Sequence, residues 1–438
     1  MAPLSAPVLS AYDPLTSAEG SIDPLGLAST YERLADAVLP GITVRMRRPR
    51  FLTAIAVGAY ICSDLPPETL AKDGVSPPWQ VFEWWIVEAH ARSTDLLPVR
   101  GGIPGIQKAQ AAVSNKRPLN AAAYLRVPSV FGYTGIYRRL ARRTRVLTTQ
   151  GMLDDAGYRL LVAWVTDQKL EGFLHGEGPG KEFARRLSRA VRDGLAKGGT
   201  EYRPKTFWDE IVTHLNPFQP DLRERAALRT IIEEGAGDPE ELSFLVQALK
   251  GRGAPLEFAQ EADFLRKSTR KAPAHLTRLF TAIDAYESFC RPLTDLFDLI
   301  RYLASTSPIQ GVAPAEFEGD SRAEALTTKL REALVRAGDD PLLGDYWPDR
   351  GDVLTLLKEG HTSAQMLERV IEHHEHAQQH KPPAPDGKRP WLERGTRGRV
   401  LVRAGYRLED EPNPVAPYVH EYRMPTLSRF LEDLGAFG

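Results

Sequence analysis

The stretch HHEHAQQH at residues 373–380 holds four of the chain's ten histidines, and imidazole is the side chain most suited to metal ligation and proton transfer near neutral pH. Thr362 followed by Gln365 gives a capping-box start for a helix over 363–379. Its apolar stripe is Ala364, Leu367, Val370 and Ile371, and His374 is the next member. At about 100° per residue, His373, His376 and His380 fall on the opposite, outward face. His373 and His380 are separated by roughly 10.5 Å along the axis, too far for both to reach one ion through bonds of about 2 Å. Only His373/His376 or His376/His380 pairs well, with further ligands supplied from elsewhere. Gln378 occupies the place of the second histidine of an HExxH motif, so metalloprotease chemistry fails. The pattern predicts no metal centre here, and an outward face that gains charge below about pH 6.5.

The residues that follow are strongly basic. Between 381 and 407 the chain carries a net +6, whereas its total is −1. Lys388, Arg389, Arg394, Arg397, Arg399 and Arg403 would meet phosphates, and Trp391 would stack on a base. WLERGTRGRVLVRAGYRL (391–408) reads as a hairpin around Gly395–Gly398. Together with the preceding helix it suggests a winged-helix arrangement, with helix 363–379 in the recognition place. The alternative is a charged hairpin packed on a protein partner. Two further basic stretches, RMRRPR (Arg45, Arg47, Arg48) and RRLARRTR (Arg138, Arg139, Arg142, Arg143), would extend a phosphate-binding track or be solvated faces paired within the chain.

Other chemistry finds little footing. Asp167-x-Lys169 sits in a stretch of helical period, whereas a restriction-type nuclease needs it on a strand. HGEGPGKE (175–182) lacks P-loop spacing and reads as a loop between helices. No Walker A, G-x-G-x-x-G or G-x-S-x-G pattern occurs. The reading therefore leans against an enzyme and implies no cofactor.

The elements that must position these residues are nearly all helical. Hydrophobic residues are 42% and charged residues 26%, an ordinary globular balance. Asp23-Pro24 opens a helix closed by Pro40-Gly41, and Pro49 opens an apolar helix at 50–63, whose apolar window FLTAIAVGAYIC (51–62) is too short to span a bilayer. Phe82, Trp85, Ile86 and Ala89 mark another core helix, and Pro292 is expected to kink or divide a long one near 275–304. We read a mainly α, multi-helix protein with a small C-terminal β-hairpin. Its expected parts are a flexible lead-in (1–22), helical domains at 23–180 and 181–304, a linker at 305–321 and a C-terminal domain at 322–438. Two distant cysteines, Cys62 and Cys290, and no visible signal peptide fit a cytoplasmic protein without membrane attachment.

LPGITVRMRRPRFLTAI (39–55), EWWIVEA followed by GIPGIQKA (83–109), YLRVPSVFGYTGIYRRLA (124–141), FCRPLTDLFDLIRYLA (289–304), KRPWLE (388–393) and YRMPTLSRFLEDLG (422–435) form an ordered set. It resembles an uncharacterised bacterial family of phage-defence islands, encoded near helicases and phospholipase-D-type nucleases. The resemblance implies an accessory subunit of an antiphage or DNA-processing complex, with DNA and a helicase or nuclease as partners. A protein–protein scaffold without DNA contact is the alternative, and a metal-dependent hydrolase a third.

Overall fold

A computed structural model describes residues 23–93, 102–218, 220–235, 237–382, 387–413 and 416–437. The expected lead-in at 1–22 lies outside them. Among the described residues there are nineteen α-helices, with the chain 61% helical, and one two-stranded antiparallel sheet near the C-terminus. The protein is thus mainly α with a small β element, as the sequence predicts. It forms two compact units, one of residues 1–37 and 258–422, the other of 38–257 and 423–438.

In the second unit the apolar helix Phe51–Ile61 is buried along nearly its whole length. The helix Pro78–Arg92, with proline in its first turn, buries Trp84 and Trp85 completely. The two pack closely at Gly58, where any Cβ would lie 2.7 Å from the Phe82 ring. Asp154 caps the helix Asp155–Asp167 through its side chain. Among the described residues no helix is long and apolar enough to cross a membrane.

In the first unit Asp23 is not the cap of a helix beginning at Pro24. Its two carboxylate oxygens accept from the amides of Leu27 (2.9 Å) and Ala28 (3.0 Å), so the helix starts later, at Ala28–Val38. The long helix Ala274–Thr306 is not divided at Pro292, which lies buried inside it. The helix packs against Ser321–Asp339. The helix Ser363–Gln379 has the predicted capping box, Thr362 with Gln365. Strands β1 (Leu392–Arg394) and β2 (Val400–Val402) pair with Leu392 opposite Val402, and the turn has Arg397 and Gly398 at φ 59° and 69°. The segment 305–321, expected as a linker, is docked on this hairpin. Val312 and Val400 exchange both backbone hydrogen bonds (3.0 and 2.8 Å), and Phe317 is fully buried.

Candidate nucleic-acid interface

The hairpin's positive charge is largely neutralised inside the first unit. Arg389 pairs with Glu393 at 2.6 Å, and Arg394 pairs with Glu368 and Glu375. Arg399 binds Glu316 at 2.8 Å and also donates to the Gly311 carbonyl at 2.5 Å. Arg403 is 4.0 Å from Glu393 and lies over the Tyr406 ring. The Lys388 amide donates to the Gln378 carbonyl at 2.8 Å. Arg397, at the tip of the turn, is exposed and makes no ion pair among the described residues. Trp391 is stacked on Tyr406 (4.4 Å, 6° between planes), with the Arg301 guanidinium 5.1 Å from its centroid. The indole therefore anchors the hairpin and does not stand open for a base.

The histidines divide differently from the prediction. His373, expected outside, is buried, and its Nε2–H donates to the Leu25 carbonyl at 2.9 Å. His374 is buried as expected, bonding the Pro24 carbonyl through Nδ1 at 2.8 Å. Gln378 Nε2 reaches the same carbonyl at 2.9 Å, and Lys381 reaches that of Asp23. The helix wheel placed His373 outside because it assumes one buried stripe; here residues 23–25 cover a second. Burial holds both His373 and His374 below the usual imidazole range, so these two do not add charge on mild acidification. His376 and His380 are exposed, with rings 4.2 Å apart. The helix's outer side also presents Glu368, Glu372 and Glu375, which a phosphate-facing recognition helix would not carry.

The second unit has the opposite character. The helix Tyr133–Arg143 contains no acidic residue, and its Arg139, Arg142 and Arg143 are exposed. The Tyr137 hydroxyl, buried on the inner side, accepts from the amides of both Arg47 and Arg48 at 2.8 Å. Gly41, at φ 88°, brings the same segment against Leu140 and Arg143. Two basic stretches about 90 residues apart in sequence are thus laid side by side. Arg48 is tied to Asp433, but Arg45 and Arg47 are exposed, Arg45 lying over the Phe131 ring at 5.0 Å. Among the described residues Arg45, Arg47, Arg142 and Arg143 make no ion pair. Beyond them a cavity of about 560 Å³ is bordered by Arg143, Arg145, Arg159, Thr144 and Thr230. Arg145 there is paired with Asp155 at 2.7 Å, and Arg159 is exposed.

Among the described residues one cluster has metal-ligand composition. Glu287, Cys290 and His420 place ligand atoms within 4.8 Å of one another. The Glu287 carboxylate is already occupied: His420 Nδ1 (2.7 Å), the Tyr422 hydroxyl (2.8 Å) and the Val419 amide (2.5 Å) all bond to it. Burial, and then the neighbouring Glu287, push the Cys290 thiol well above its ordinary value, which disfavours a thiolate ligand. The cluster fastens residues 418–422 to the long helix. Glu287→Gln, which sets an amide NH₂ against these donors, should destabilise the protein by about 1–3 kcal/mol in chemical denaturation, and added zinc should not raise the wild-type melting temperature.

The remaining motifs are structural. Asp167 accepts from the Glu224 amide at 2.8 Å, at the end of its helix. HGEGPGKE is a turn with Gly176 and Gly178 at positive φ, leading into the helix Pro179–Lys197. Comparison with known proteins finds no matching family model, no matching curated protein and no matching solved structure.

Proposed function

We propose that the protein binds nucleic acid without catalysing a reaction on it, as an accessory component of an antiphage or DNA-processing system. In this reading the contact is made by the arginine helix Tyr133–Arg143 and the neighbouring Arg45 and Arg47, with the hairpin in a lesser role. The observation that supports it is the contrast in pairing. Arg389, Arg394, Arg399 and Arg403 are neutralised by carboxylates of their own unit, whereas Arg45, Arg47, Arg142 and Arg143 have none among the described residues. Arg142 and Arg143 on an acid-free helix, with Arg45 and Arg47 beside them, supply what phosphate oxygens need: charge, and donors not already engaged by carboxylates among the described residues. Such binding is sequence-independent and dominated by counterion release. The association with a helicase or nuclease rests on the family resemblance alone.

The test is fluorescence anisotropy of a labelled oligonucleotide against salt concentration. The Arg139→Gln/Arg142→Gln/Arg143→Gln variant should bind on the order of tenfold to a hundredfold more weakly, and its log–log salt slope should flatten by roughly 0.9 for each phosphate that is no longer neutralised. The Arg397→Ala/Arg399→Ala/Arg403→Ala variant should change much less. The reverse order would return the interface to the hairpin. No binding by the wild type, with co-purification of a helicase or nuclease, would replace this reading with a protein-docking role.

A further inference from the structure

Against the arginine helix the second unit has a cavity of about 290 Å³, walled by Ile55, Pro66, Trp79, Phe82, Leu147 and Met152. Its polar lining includes Arg138 and Gln150. Arg138 is half-buried, with its guanidinium 5.4 Å from the Trp79 ring centroid. Among the described residues no carboxylate pairs with it. A like charge, Arg142, stands one turn on along the helix and acts on it. Burial and Arg142 both hold the Arg138 guanidinium below its ordinary value. A partly desolvated cation beside a like charge is costly unless an anion completes the site. Gln150 Oε1 accepts from the Thr149 hydroxyl at 2.9 Å, which leaves its NH₂ to donate elsewhere.

The cavity therefore suits a ligand with a flat, largely apolar body and an anionic group at its rim. A nucleotide unit has this form, and the exposed Arg142 and Arg143 continue along the same helix, where the next phosphates of a strand would lie. We infer that the cavity receives one unpaired base of a nucleic-acid strand, stacked on Trp79, with Arg138 on the adjoining phosphate. Paired bases are stacked within the duplex and cannot enter, so the site confers a preference for single strands or strand ends. The inference rests on the nucleic-acid reading above and adds to it which form is bound.

The experiment uses the full chain and three labelled probes: a short oligothymidylate, a strand of the same length made of abasic sugars, and the corresponding duplex. Wild-type protein should bind the oligothymidylate about tenfold more tightly than the abasic strand. Trp79→Ala should remove that difference and leave duplex affinity unchanged. The abasic comparison needs no variant, so the test stands even where Trp79→Ala fails to fold. Equal wild-type affinity for the abasic strand and the oligothymidylate, with binding abolished in the arginine-helix variant, overturns the base pocket and keeps the phosphate surface. No binding to any of the three overturns both.

Discussion

Glu224→Ala is expected to destabilise the second unit by about 3–5 kcal/mol, the cost of leaving a buried charge without its partner. Arg50 and Glu224 have side chains 4% and 0% exposed and meet through Arg50 Nε at 2.9 Å. The Thr53 hydroxyl donates to the same Glu224 oxygen at 2.6 Å, and Arg50 also donates to the Asn216 carbonyl. The guanidinium stays charged at every pH a folded protein tolerates, so loss of the carboxylate cannot be relieved by deprotonation. Burial is the largest influence on Glu224 and holds its carboxyl above the ordinary range in spite of Arg50. The pair is thus finely balanced, and its two halves are not independent. Replacing both with apolar residues, as in Arg50→Met/Glu224→Leu, should recover most of the loss, because two desolvated charges are removed together. Urea denaturation of the two singles and the double supplies the cycle. A single-variant loss below about 1 kcal/mol, the range of an exposed pair, would show that water reaches this site.

The periodic features of the sequence lead to the right elements for a local reason. Thr362 with Gln365 and the Gly395–Gly398 turn each act on backbone groups within a few residues, and each appears where its spacing places it. The candidate site depends on what the fold brings from afar. The +6 of residues 381–407 is a correct count of a window, but Glu316, Glu368 and Glu375 lie outside that window and neutralise Arg399 and Arg394. RRLARRTR looks no more promising in sequence than the hairpin. Its distinction is that Arg142 and Arg143 make no ion pair among the described residues, a tertiary property with no local signal. The cavity is harder still to foresee, since Trp79 and Arg138 meet only through the packing of two helices. His373 fails for the reason that Trp391 fails. Both carry a polar atom on a residue that was read as outward, and both are covered by chain from elsewhere, residues 24–25 in one case and Tyr406 in the other.

His374→Ala should cost about 3 kcal/mol and should also change how stability depends on pH. His374 Nδ1–H donates to the Pro24 carbonyl at 2.8 Å, which leaves Nε2 as an acceptor, and the Trp391 amide donates to it at 2.8 Å. One neutral tautomer thus ties residue 24 and the start of the hairpin to the histidine helix. Alanine leaves the Trp391 amide unpaired and the Pro24 carbonyl with Gln378 as its remaining side-chain donor, and opens a gap beside Phe297, 5.0 Å away. Protonation does similar damage, because an Nε2–H would face the Trp391 N–H. Burial accordingly pushes the imidazole from 6.5 down to about 4. The folded state therefore binds this proton more weakly than the unfolded chain. The stabilisation is complete above pH 6.5 and is lost as pH falls toward 4, a change of about 3 kcal/mol over that window. Denaturation measured across the window should show wild type and His374→Ala furthest apart near neutrality and converging in acid. A constant gap between them would mean that His374 contributes volume alone, and that its two hydrogen bonds do not set the protonation state.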